Sequence, residues 1–235
     1  MKTINWSGYR WITQERWGQV HKDKSWCWYD EERVKVDSNK YLHLETLKNP
    51  TKIGEFTPEY GVGLVSSVRD FSYGHFEIEA KLPTGKKLWP AFWMWSPSSD
   101  SWPPEIDIFE GYTDNRTGYL KFNRFNPLGW WNVPTNIWTH NNDKGKAVNL
   151  KPRTGYCGFD NPATNFIKYS CLWTKDILEI KHNGHIVRKV TDSKVLKHFE
   201  GKKMNVIINN HFQPNPPKGN NHSDFVVKYF KYEKA

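Results

Sequence analysis

Residues Glu105-Ile106-Asp107-Ile108-Phe109-Glu110 put three carboxylates into six positions of a segment whose apolar members favour a strand. Side chains on a strand alternate faces, so Glu105 and Asp107 project from one side while Glu110 falls on the other. One extra residue, a β-bulge, returns Glu110 to the face of Glu105, and bulges are enriched beside active sites. Three converging carboxylates repel one another, and a purely structural strand gains nothing from them. The arrangement suits glycoside hydrolysis, in which one carboxylate attacks the sugar carbon and a second carboxylic acid protonates the leaving oxygen.

The distances fit that chemistry. With the bulge, Glu105 and Glu110 lie about four regular steps of roughly 3.3 Å apart along the strand. Two long side chains leaning together across that gap can bring their carboxyls to about 5–5.5 Å, the separation of a retaining enzyme, whereas about 9 Å, with room for a water, means inversion. Asp107, between them, is placed to bond the nucleophile and to hold the proton balance of the pair.

The surrounding sequence carries a resemblance. Tyr73 to Pro83 (YGHFEIEAKLP), then Trp89-Pro90-Ala91-Phe92-Trp93, then EIDIFE, resemble glycoside hydrolase family 16. The resemblance is to the branch with a bulged ExDxxE strand, shared by β-1,3-glucanases, agarases, porphyranases and κ-carrageenases. Gly63 to Ser67, Tyr169 to Thr174, the Asn183-Gly184 turn and Asp224 to Tyr229 extend it over most of the chain. It implies Glu105 as nucleophile, Asp107 as its partner and Glu110 as acid/base, in a retaining endo-hydrolase.

Strand patterning runs the length of the chain. Val34, Val36, Leu42 and Leu44 flank a hairpin-like Asp37-Ser38-Asn39, and Phe76 to Leu82 alternate apolar and polar residues. Asn183-Gly184 between two apolar runs is a strong hairpin signal. Helical periodicity is confined to a short turn near Ser193 to His198. Regular strands with turn punctuation imply an all-β sandwich or jelly roll, and the resemblance specifies a two-sheet jelly roll (concanavalin A-like) with a concave substrate cleft. With no internal repeat and no linker, residues 1–235 are expected to form one catalytic domain.

Aromatic residues are abundant, with 13 Trp, 13 Phe and 11 Tyr. Trp89, Ala91, Trp93 and Trp95 share one parity of a strand. Core filling and sugar stacking both account for that, and the resemblance places Trp89 and Trp93 in the cleft. Trp102 is expected on the rim. Trp130 and Trp131 are adjacent and face opposite ways if extended, so at most one meets substrate; Trp131 is taken as the candidate. His140 is either a hydrogen-bonded structural residue or, as the resemblance implies, a group over the carboxylates. Arg124, with Asn123, is expected across the cleft. Asn209, with Asn210, replaces a glycine-containing segment usual in β-1,3-glucanases and is a further substrate-binding candidate.

The net charge is +9, from 34 basic and 25 acidic residues. That balance suits either a soluble basic protein or a polyanionic partner such as a sulfated galactan. Nucleic acid is not expected, because no recognised motif is present and the basic residues are scattered. Three cysteines leave at least one thiol free, with a Cys157–Cys171 pairing left open. No Cys/His spacing suggests zinc, and no cofactor is expected. Relatives often hold a structural calcium through an aspartate in the last strand, where this chain has Lys228. No apolar run reaches the roughly 20 residues of a membrane span. No signal-peptide pattern opens the chain, so a mature form of an extracellular or periplasmic enzyme, acting as a monomer, is expected.

The expected substrate is a β-1,3- or mixed-linkage β-glucan. The alternatives are an agar-type or sulfated galactan (porphyran, agarose, carrageenan) and a carbohydrate-binding jelly roll without turnover.

Overall fold

A computed structural model describes residues 2–97, 102–113, 119–123, 126–153 and 155–235. The chain opens with strands β1 (Thr3–Trp6), β2 (Tyr9–Ile12), β3 (Cys27–Tyr29), β4 (Val34–Val36), β5 (Leu42–Lys48), β6 (Tyr60–Val62) and β7 (Leu64–Ser67). Its middle third supplies β8 (Gly74–Lys81), β9 (Leu88–Trp95), β10 (Glu105–Glu110), β11 (Leu120–Asn123), β12 (Asn126–Trp131) and β13 (Asn136–Asn141). The remaining strands are β14 (Ala147–Asn149), β15 (Ile167–Trp173), β16 (Leu178–His182), β17 (His185–Val190), β18 (Asn205–Phe212) and β19 (Ser223–Lys234).

Apart from β11 and β12, which pair only with each other, these strands form two large sheets, the two layers of a jelly roll. One runs β1-β2-β7-β18-β9-β10-β13-β14, and the other β17-β16-β15-β8-β19-β5-β6-β3 with β4 on β5. Their facing sides make the core, where alternate residues meet: Phe76 and Ile78 from β8, Phe92 and Met94 from β9, Val206 and Ile208 from β18, and Phe225 and Val227 from β19. The opposite side of the first sheet carries Trp89, Trp93 and Trp95 of β9 and is the concave face.

The local expectations translate into particular contacts. Asn183 and Gly184 both take positive φ, 49° and 81°, and close the β16–β17 hairpin with His182 opposite His185. Val34 pairs with Leu44 and Val36 with Leu42. A short helix, Ser193–Leu196, stands where the turn was expected. All three cysteines are buried free thiols, so the Cys157–Cys171 bridge left open in the sequence is not formed. The Lys228 ammonium meets the Glu79 carboxylate at 2.5 Å and lies 4.2 Å over the Phe166 ring.

Strand β10 carries the irregularity that matters most. Against β9 it pairs Glu105 with Trp95 and Asp107 with Trp93, then slips, so that Phe109 meets Phe92 and Glu110 meets Ala91. Ile108 is the extra residue, and it joins the core with its neighbour Phe109. Its carbonyl, displaced from the β9 ladder, accepts a 2.9 Å hydrogen bond from Nε2 of His182, a fully buried residue of the opposite sheet. Burial pushes that imidazole down to about 4, so it is neutral and its Nε2 hydrogen is the donor. Replacing His182 with Ala removes the donor, strands the carbonyl and opens a cavity. The expected cost is about 2–4 kcal/mol, read as a lowered urea midpoint at unchanged slope.

Candidate active site

The cleft floor is built from three neighbouring strands with the same logic in each. On β9, every second residue from Trp89 to Trp95 faces the cleft, while Leu88, Phe92 and Met94 face inward. On β10, Glu105 and Asp107 share that face, and the bulge delivers Glu110 to it. On β18, Asn209 and His211 point the same way. The cavity above them has a volume of about 810 Å³. A deeper recess of about 60 Å³ lies between the three carboxyls and Glu15, Tyr29 and His211.

Each carboxyl has its own set of donors. Glu105 accepts 2.8 Å from the Trp102 indole and is hydrogen-bonded by Asp107. Glu110 accepts 2.6 Å from the Tyr112 hydroxyl and 3.1 Å from the Trp89 indole. Asp107 is 3% exposed, and its Oδ2 has no hydrogen-bond partner among the described residues. Burial is the first cause that raises all three. It pushes Glu105 up to about 7, Asp107 well above the carboxylate range and Glu110 upward. The protonated Asp107 donates to Glu105, which favours the charged form of Glu105. For Glu110 a neighbouring negative charge is not the leading cause. Burial is the larger cause, opposed by Tyr112, Lys24, Trp89 and Asn136.

The other expected residues divide. Trp89, Trp93 and Trp102 all line the cleft, with Trp89 holding Glu110 and carrying the Lys24 ammonium 4.4 Å above its ring. Asn209 lines the recess, but its amide is engaged. Its oxygen accepts from Trp93 and its nitrogen donates to the Trp89 carbonyl, so it orients tryptophans. Two candidates do not line the described walls. His140 is absent from the cleft walls: β13 slips against β14 between Trp138 and His140, and the imidazole stacks on His198 at 4.2 Å and 7°. Trp131 packs against the core cluster and lines neither cavity. Arg124 lies outside the described residues.

Several lining residues had no signal of their own. Trp138, opposite Glu105 in the β10–β13 register, occupies the role expected of His140 two positions on. Asn136 and Tyr112 flank Glu110. Glu15, Trp17 and Lys24 arrive from a segment some eighty residues upstream, which only the tertiary fold brings to the cleft.

Fold and site together define a β-jelly-roll protein with a carboxylate-lined, tryptophan-walled cleft. The chain belongs to the glycosyl hydrolases family 16, whose model matches residues 21–229. Among similar proteins, an endo-1,3-1,4-beta-glycanase, ExsH, of Rhizobium meliloti is 29% identical over 122 residues, 50% of this chain and 21% of that protein. A glucan endo-1,3-beta-glucosidase of Cryptopygus antarcticus is 44% identical over 66 residues, 26% of this chain and 22% of the relative. The match thus spans only about a fifth of each relative's length. The solved structure of LamAcat from Zobellia galactanivorans superposes with a TM-score of 0.73 over 95% of this chain and 90% of that one, at 17% identity, a likeness of fold.

The electrostatics generate a test. Lys24 lowers Glu105, Asp107 and Glu110 alike. If ionised Glu105 is required, turnover of a polysaccharide rises with pH through about 7. Removing the cation by Lys24→Met moves that acidic limb to higher pH, measured as kcat/KM against pH.

Proposed function

We propose that this domain is a retaining endo-β-glucanase acting on a β-1,3- or mixed-linkage β-glucan. The observation that carries the reading is the bulged strand. It gathers Glu105, Asp107 and Glu110 on one face of a cleft walled by tryptophans, with a separate donor set for each glutamate. In the first step the Glu105 carboxylate bonds to the anomeric carbon as the glycosidic C–O bond breaks, and Glu110 gives its proton to the departing oxygen. In the second, Glu110 takes a proton from water, the water oxygen bonds to the anomeric carbon, and Glu105 leaves as carboxylate. Asp107 holds its proton toward Glu105 throughout, steadying the charged nucleophile.

The walls support a neutral polymer. Among the described residues lining the two cavities, Lys24 is the one lysine or arginine, set against Glu15, Asp23, Glu105, Asp107 and Glu110. Burial pushes His211 down to about 3, so it brings no charge. The described walls thus offer a sulfated galactan a single cationic partner. The names of the relatives, an endo-1,3-1,4-beta-glycanase and a glucan endo-1,3-beta-glucosidase, favour the same substrate class. We take the enzyme to work as a monomer outside the cytoplasm, where polysaccharide is met. No helix among the described residues is long and apolar enough to cross a membrane. No structural calcium enters the reading, since at Lys228 an ammonium already fills the place of a cation beside Glu79.

Glu105→Ala is expected to lower reducing-end release from laminarin and mixed-linkage β-glucan by roughly a thousandfold or more. Loss of one of three repelling carboxyls leaves the melting temperature unchanged or raised. Azide restores turnover to the variant and gives a product of inverted anomeric configuration. Near-normal turnover by Glu105→Ala, or cleavage confined to agarose, porphyran or carrageenan, overturns the assignment.

A further inference from the structure

Among the described residues, Trp17 and Trp102 are the exposed tryptophans, at 43% and 42%. Both open onto the same cleft. Trp102 is accounted for by its bond to Glu105. Trp17 makes ring contacts with Trp95 and His21 and leaves much of its indole open to the cleft.

That turn is held from several sides. Glu15 and Gly18 form an isolated bridge, closed by a 3.1 Å bond from the Gly18 amide to the Glu15 carbonyl. Arg16 points away from the cleft, donating to the Ser67 and Val68 carbonyls and pairing with Asp70. The Tyr29 amide bonds to the Gln19 carbonyl just beyond. Thus anchored, Trp17 stands edge-on to Trp95 at 5.0 Å, and Trp95 is the register partner of Glu105. Beneath it Glu15, 3% exposed, lines the deep recess with its Oε2 unpartnered among the described residues. Burial raises this carboxyl to about 8, so the turn lies near Glu105 without adding a further charge to the floor.

We propose that the turn Glu15–Gly18 builds an additional glycosyl-binding subsite at the Glu105 end of the cleft. The Trp17 indole is the stacking face for a neutral hexose ring, and the Glu15 carboxyl bonds one of its hydroxyls. An indole face suits the C–H side of a pyranose, and an exposed aromatic in a cleft marks a binding surface more often than a packing accident. Because the turn is pinned before substrate arrives, little ordering cost offsets the contact. The inference rests on the β-glucan reading above, which supplies the ring to be stacked.

Calorimetric titration of the inactive Glu105→Ala protein with laminari-oligosaccharides of increasing length separates the two. In this background, Trp17→Ala is expected to weaken binding of the longer oligosaccharides about tenfold while leaving the shortest bound ones unchanged. Trp17→Phe recovers most of the loss. Glu15→Leu weakens the same long ligands and Glu15→Gln does not, with melting temperatures recorded for each. Equal affinity of Trp17→Ala for every length overturns the subsite, and so does a uniform loss that includes the shortest. If the parent Glu105→Ala protein binds no β-glucan oligosaccharide of any length and the wild type cleaves none, the β-glucan reading itself fails and the subsite falls with it.

Discussion

The hydrogen bond from His182 to the Ile108 carbonyl lets one strand serve two masters. A regular β10 presents Glu105 and Asp107 to the cleft and turns Glu110 into the core, where a charge is costly. Slipping the register by one residue at Ile108 corrects Glu110, but the bulge takes a backbone carbonyl out of the ladder. In the dry space between two sheets that carbonyl needs another donor, and the His182 imidazole supplies it from β16. Ile108 and Phe109 then both enter the core, where Phe109 packs 4.4 Å from the Tyr169 ring, so the bulge is filled as well as bonded. The chemistry of the concave face is therefore secured from the opposite sheet.

Gathering three carboxyls over a buried floor raises the second problem, which is charge. Burial disfavours every ionised form, and mutual repulsion compounds it. The cleft answers with neutral donors. Trp102 serves Glu105, Tyr112 and Trp89 serve Glu110, and the trio keeps a proton on Asp107. Lys24 adds one cation, parked over the Trp89 ring, which stabilises it without a formal ion pair. The tryptophans are thus electrostatic parts of the centre as well as walls of the cleft. Trp93 is similarly bound, through Asn209.

How much of this was legible follows from the range of each signal. The bulge could be read because parity along one strand is a local property, and three carboxylates on mismatched parity demand a correction. Strand alternation, the Asn183-Gly184 turn and the short helix near Ser193 are local in the same sense. At His140 the resemblance was the only pointer to the cleft, and a second slip, against β14, lies between it and Trp138. Nothing in the residues around 137–141 announces that slip, whereas the acidic motif announced the first. Glu15, Trp17 and Lys24 were illegible for another reason. They carry no motif, and their place over Glu105 and Glu110 is a consequence of chain path alone. Burial, which dominates the titration of the trio, is likewise a property of the assembled sheets.

The charge of the chain makes the point most sharply. A balance of +9 invites an acidic polymer as partner, yet net charge is a sum over the whole surface, whereas recognition is decided by the groups a ligand touches. Among the described residues the walls hold one lysine beside five acidic residues. Elsewhere several lysines are engaged with carboxylates, as Lys181 and Lys189 are on Glu179 and Lys35 on Glu45. Under the proposed mechanism a further cation in the cleft would lower the carboxyls and weaken the hold on the proton that Glu110 delivers. A further acid would raise Glu105 out of its reactive form. On that reading the one lysine among the described wall residues is a compromise between those limits, and proton transfer rather than overall charge governs the composition of these walls.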